Sequence, residues 1–265
     1  MSGTTCRASL VAALQRRLDA MVRADFAAAA PARLPTGCAA FDRFLPGGGF
    51  RAGTLVEWLA AEPGCGATSV ALICARQACR SAGALVVVDR AGRFYPPAAA
   101  RLGIDLDRLV LVRPDSAADH AWAVDQALRC PGVAVTLTWP ESPGRPCDGR
   151  TLRRWQLAAE RGGGLGMLIR PATARGEPSW AELRLGVEPL EPNLSRRRLR
   201  IRLVRCRGAA GGGSIELEID ENGDEAHLVC TVSRHDSAPG AVVAGDGRVV
   251  PPVQPHDRSR TRRGA

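Results

Sequence analysis

The stretch Ala61 to Ser69, AEPGCGATS, has the outline of a phosphate-binding loop but lacks its cation. Such a loop reads G-x-x-x-x-G-K-[ST]: backbone N–H groups cradle the phosphates, the lysine ammonium reaches the β and γ oxygens, and the hydroxyl holds Mg²⁺. Here Ala61 stands for the first glycine, Gly66 is the second, Ala67 replaces the lysine and Thr68 keeps the hydroxyl. A charge-assisted hydrogen bond contributes about 1.5–3 kcal/mol, so the alanine removes much of the affinity for a triphosphate and much of the charge compensation in phosphoryl transfer. Ala61, Glu62, Pro63, Gly64, Cys65, Gly66, Ala67, Thr68 and Ser69 therefore read as a vestigial loop in a protein that is not an enzyme. No cofactor is expected, although the backbone donors at Gly64, Gly66, Thr68 and Ser69 leave a weak nucleotide site open.

None of the 36 basic residues is a lysine, and the chain is rich in Ala, Gly and Pro. Compositional drift of that kind accounts for arginine on the surface. It does not account for position 67, because a planar guanidinium cannot mimic a compact ammonium.

A second concentration of chemistry is the run Arg196, Arg197, Arg198, Arg200, Arg202, Arg205 and Arg207, with no acidic residue between Pro192 and Ile215. In an extended strand Arg198, Arg200 and Arg202 project to one side while Leu199, Ile201 and Leu203 face the core. The run reads either as a phosphate-contacting surface giving weak, sequence-independent DNA binding, or as a solvated strand edge that discourages pairing with other chains.

The elements that would position these residues alternate. A strand through Thr54–Leu59 leads into the loop, and a helix follows over about Thr68–Ser81. ALVVVD (84–89), LVLVRP (109–114), GVAVTLTW (132–139) and LGMLIRP (165–171) read as buried strands, with helices near 117–129 and 151–161. That alternation predicts an α/β fold with a mostly parallel sheet and right-handed crossovers. After residue 178, AELRLGVEPL, RRLRIRLVRC, SIELEID and AHLVCTV alternate polar and apolar residues between turns, the signature of antiparallel edge strands.

The flanks differ in character. Residues 8–23 place Leu10, Leu14 and Leu18 with Val11 and Met21 on one helical face, opposite Arg16, Arg17 and Asp19, which suggests a docking arm. The expected organisation is an arm and linker over 1–33, an α/β core over 34–233, and a flexible basic tail over 234–265, which reads either as an inert end or as a segment that folds on contact with a partner. The loops 140–150 and 171–180 read as plain connectors.

With 265 residues the chain can bury one sizeable core, and its net charge of +9 suits a nucleic acid or an acidic protein surface. The nine cysteines form no C-x-x-C pair and no zinc-like cluster, so they read as reduced core thiols with no metal site. No apolar run reaches membrane-spanning length and no signal-peptide pattern opens the chain, which predicts a cytoplasmic protein.

LPTGCAAFDRFLPGGGFRAGTLVEW (34–58), VVVDRAGRFYPPAAARLGIDLDRLVLVRPDSAADHAWAVDQAL (86–128) and RLRIRLVRCR (198–207), taken in this order, resemble the RecA-type recombinase core. Against that pattern Ala67 stands for the lysine and Ala91, two positions past Asp89, for the residue that activates water. LTWP places Thr138 and Trp139 where a Mg²⁺-linked aspartate belongs. Arg205 and Arg207 match basic residues that reach a neighbouring subunit's nucleotide.

A RecA-like fold without ATPase chemistry resembles the ImuA family. The resemblance implies a non-catalytic adaptor in the DNA-damage (SOS) response and mutagenic translesion synthesis. Its implied partners are ImuB, a Y-family-polymerase homologue, an error-prone polymerase complex and, as a further candidate, RecA. The competing readings are an ATP-dependent RecA-like motor and a SulA-like inhibitor of cell division.

Overall fold

A computed structural model of the chain describes residues 32–81, 83–140, 147–193, 196–207, 211–221 and 226–234, with the short pairs 242–243 and 249–250. The proposed arm, with Leu10, Leu14 and Leu18, and nearly all of the tail lie outside the described residues.

Nine strands form one sheet: β3 (Leu55–Ala60), β4 (Ala84–Val88), β5 (Leu109–Val112), β6 (Val133–Thr138), β7 (Leu165–Pro171), β8 (Leu183–Asn193), β9 (Arg196–Cys206), β10 (Ser214–Asp220) and β11 (His227–Arg234). Their order across the sheet is β11-β10-β9-β8-β3-β7-β6-β4-β5. Every pairing from β8 to β5 is parallel, and β9, β10 and β11 continue from β8 in antiparallel fashion. A separate pair, β1 (Arg33–Leu34) and β2 (Phe50–Arg51), brackets the Gly-rich turn, where Gly47, Gly48 and Gly49 all adopt positive φ. At Gly49 a Cβ would come within 2.7 Å of the Leu34 carbonyl oxygen, so only glycine fits that turn.

Helices cover both faces over the parallel half. On one face, α1 (Ala39–Phe44), α2 (Ala67–Ser81) and α3 (Pro96–Arg101) close a cluster in which Phe41, Phe50 and Trp58 meet edge to face. That cluster runs on to Leu199, Ile201 and Leu203 of β9 and Ile215, Leu217 and Ile219 of β10. On the other face, α4 (Ala117–Arg129) and α5 (Gly149–Gly162) pack over Val86, Val88, Leu55 and Leu168. Local chemistry sets their ends. Ser116 Oγ caps α4 by accepting from the Asp119 N–H at 3.0 Å, and Asp148 caps α5 by accepting from the Arg150 N–H at 3.2 Å. Gly163, at φ +77°, terminates α5 in the left-handed conformation.

Three expectations change. β5 does not share the burial of the inner strands: it is the sheet's last strand, and Val110 is half exposed because only β4 flanks it. β8 is antiparallel to β9 but parallel to β3, since it returns beside β3 after the connection from β7. β9 is not an edge at all, because β10 and β11 pair beyond it. The short helix α3 adds an element without a sequence signal, because its six residues are too few to show a period.

Candidate functional site

β3 is buried along almost its whole length and ends where the loop begins. The Ala61 N–H donates to the Val187 carbonyl of β8 at 3.0 Å, fixing the first loop residue against the neighbouring strand. Residues 61–64 are exposed, and Gly64 and Gly66 turn the chain through φ of +83° and +93° before α2 starts at Ala67. Cys65 and Ala67 are buried in the same apolar cluster as Trp58 and α2. The methyl of residue 67 therefore points into the core. Thr68 and Ser69 are partly exposed on the first turn of α2, which carries no acidic residue.

Two more strand ends face this loop region, and each holds its polar groups inside. At the end of β4, Asp89 is buried and its Oδ2 accepts from the Phe94 N–H at 2.7 Å, closing the turn in which Ala91 is exposed. The other carboxylate oxygen of Asp89 has no hydrogen-bond partner among the described residues. At the end of β6, the Thr138 hydroxyl donates to the Val88 carbonyl at 2.8 Å and lies 2.7 Å from His120 Nε2. With its proton committed to Val88, Thr138 accepts from His120, which fixes the Nε2–H tautomer. Burial, and secondarily Arg90, lowers the His120 pKa and keeps the ring neutral. Trp139 packs against the apolar cluster that holds Cys65 and Ala67.

Strand β9 reaches the loop from the other side. A Cβ on Gly66 would approach Leu199 Cδ2 to 2.8 Å, so the loop glycine and the β9 leucine are in close contact. Arg197 Nη1 donates to Ser69 Oγ at 3.4 Å, and its Nη2 pairs with Glu221 at 2.5 Å. The loop and the arginine run, distinct features of the sequence, thus meet at Gly66 and Ser69.

Three more residues of the run, Arg196, Arg198 and Arg200, are engaged in cross-strand ion pairs. Arg196 lies 3.2 Å from Asp220 and 3.6 Å from Glu218. Arg198 lies 3.1 Å from Glu216 and 3.6 Å from Glu218, and Arg200 is 2.8 Å from Glu216. The Glu216 and Glu218 carboxylates lie low between the strands and the guanidiniums lie over them. The hydrogen bond that Arg200 donates to Glu216 raises its pKa further. Arg202 faces Gly186 on β8 and Ser214 on β10, so no carboxylate stands opposite it. Arg205 donates to the Ser179 carbonyl at 3.4 Å, and Arg207 contributes a backbone N–H to Glu182 at 2.8 Å.

A group with no warning in the sequence lies under the 171–180 loop. Glu57 of β3, fully buried, accepts from Arg170 Nη1 at 3.0 Å, Ser179 Oγ at 2.6 Å and Arg184 Nε at 2.7 Å. Arg184 also donates to the carbonyls of Ala174, Arg175 and Glu177, and Arg170 pairs with Glu177 at 2.5 Å. The loop is clamped to the sheet by this network, in keeping with a connector. Of the 140–150 loop, residues 141–146 lie outside the described residues. Among the described residues no group of three or more His, Cys, Asp or Glu could hold a metal ion, and no helix is long and apolar enough to cross a membrane.

Comparison with known proteins places this arrangement. The family model described as the RecA N-terminal domain matches residues 20–138. Protein ImuA of Caulobacter vibrioides is 32% identical over 178 residues, 60% of this chain and 71% of that protein. Protein RecA of a Picosynechococcus strain is 30% identical over 106 residues, 40% of this chain but 30% of that protein. The crystal structure of the RadB recombinase superposes with a TM-score of 0.58 at 19% identity, covering 72% of this chain and 97% of that one, which establishes a shared fold.

Proposed function

The chain belongs to the ImuA family, and from that premise we propose that it is a non-catalytic, RecA-like adaptor of lesion-bypass synthesis in the DNA-damage (SOS) response. On this reading it binds the Y-family-polymerase-like protein ImuB, brings it to the error-prone polymerase complex, and makes a second contact with RecA. The loop 61–69 is vestigial. What supports this most is one apolar cluster: Ala67 and Trp139 both pack into it, at the positions where a lysine and a metal-linked carboxylate would act. Ala91 adds that no side-chain base stands at the position two residues past Asp89 where one would activate water.

With clamp, base and metal ligand replaced, binding energy comes from protein surfaces. Any DNA affinity is electrostatic and secondary, since most of the arginines on β9 are already matched by carboxylates.

The test is turnover and capture on the same preparation. The purified full chain should hydrolyse no ATP, with or without single-stranded DNA, and should co-elute with the ImuB homologue from the same organism. Recombinase-like turnover abolished by Thr68→Ala would favour a motor instead.

A further inference from the structure

Trp122, on α4, is 63% exposed, an unusual state for a large aromatic side chain. Its surroundings are ordered. Trp155 Nε1 and Arg154 Nη2 of α5 both donate to the Ala121 carbonyl, at 3.1 and 3.2 Å, which lays the turn carrying Trp122 against the middle of α5. Asp125, one turn further along α4, accepts from Arg129 Nε at 2.7 Å and lies 3.5 Å from Arg154 Nε. On α5 the exposed residues Arg150, Arg153, Arg154, Leu157, Glu160 and Arg161 recur at the spacing of a single helical stripe, five parts basic or apolar to one acidic. Arg153 lies over the Trp180 ring at 4.7 Å.

This face combines a tryptophan, a half-exposed Leu157 and a row of arginines, the residue types in which binding energy concentrates. We propose that the outer face of α4 and α5, centred on Trp122 and the Arg150–Arg161 stripe, docks an acidic segment with an apolar anchor from the polymerase-like partner. The inference rests on the partner reading given above.

Charge selects that occupant. Residues 1–31 of this chain hold Arg7, Arg16, Arg17 and Arg23 against Asp19 and Asp25, and residues 235–265 hold five arginines against three aspartates. Both segments are net positive and would be repelled. A nucleic acid would need a continuous groove of available guanidiniums, whereas an acidic segment can use the outer pair Arg150 and Arg161. Here Arg129 and Arg154 are bound to Asp125, Arg153 lies flat on Trp180, and the face is two packed helices.

The experiment measures the Kd of the purified full chain for the purified ImuB homologue, with circular dichroism confirming equal folding of each variant. Trp122→Ala should weaken binding about thirtyfold. Arg150→Glu with Arg161→Glu should slow association about tenfold at low salt. Arg43→Gln, on the opposite face of the sheet, should change nothing. If the wild type binds while both α4–α5 variants keep its Kd within about twofold, the face is not the site and the partner reading stands; if the wild type binds no polymerase-like protein, both fall. Loss of affinity for a single-stranded oligonucleotide in both variants, with partner binding intact, would make this a nucleic-acid surface and overturn the proposal.

Discussion

In the parallel half of the sheet, the loop and turn that follow β3 and β4 and the end of β6 carry Ala67, Ala91 and Trp139. In the antiparallel half, β9 and β10 pair Arg196, Arg198 and Arg200 with Asp220, Glu216 and Glu218. The first region keeps the backbone of a RecA-like fold and packs Ala67 and Trp139 on one apolar cluster. The second keeps a dense set of charges and neutralises most of them internally. A fold is set by buried pattern and turn geometry, whereas chemistry depends on a few side chains that can change without unfolding the sheet. The Glu57 network lies at the seam, joining β3 and β7 of the parallel half to β8, where the antiparallel strands begin.

The seam should therefore give the largest effect. Glu57→Gln leaves Arg184 buried without its carboxylate and Arg170 with Glu177 as its remaining carboxylate, and should cost about 3–5 kcal/mol in chemical denaturation. It should also loosen the 171–180 loop to proteolysis; a loss under about 1 kcal/mol would show that the halves are not joined there.

At the loop, Gly66→Ala forces a side chain into positive φ and against Leu199. It should destabilise by about 1–3 kcal/mol. A neutral result would mean that β9 stands away from the loop in solution.

The arginines of β9 should divide by partner. Replacing Arg198 and Arg200 with Gln takes two guanidiniums away from the low-lying Glu216 carboxylate and should cost about 1–2 kcal/mol. Arg202→Gln should change stability by less than about 0.5 kcal/mol. If single-stranded DNA binds at all, Arg202→Gln should instead lower the slope of log K against log salt by about 0.7. Equal stability losses for the paired and unpaired positions would dissolve the distinction.

The smallest effect concerns His120. Its pKa is lowered in the fold below the ordinary value of 6.5, so the unfolded chain binds the extra proton first. Its contribution to stability is fully present above about pH 6.5 and is lost as pH falls toward the folded pKa. His120→Gln should flatten that part of the stability profile, measured by urea denaturation between pH 5 and 7.

Much of the parallel half was legible in the sequence. Runs such as ALVVV and VAVTLT are short, β-branched and flanked by helical patterns, so their elements fall within a residue or two of the reading. The loop's missing lysine is likewise a matter of adjacent residues. What could not be read is set by register across the sheet. The carboxylates that neutralise the arginine run begin at Glu216, just past the acid-free interval, and Arg200 meets Glu216 only because β9 and β10 pair in that register. Glu57 finds Arg170 and Arg184 at separations of 113 and 127 residues, which no local spacing announces. Leu199 touches Gly66 for the same reason: strand order, not sequence proximity, puts β9 two places from β3.

The central claim is that this RecA-like fold works through protein contacts without nucleotide. Its most direct test is the Kd of the full chain for the ImuB homologue, measured without nucleotide and then with a saturating ATP analogue and Mg²⁺, for the wild type and for Thr68→Ala. The account predicts one Kd in all four conditions. A complex that tightens with ATP and Mg²⁺ in the wild type but not in Thr68→Ala would contradict it.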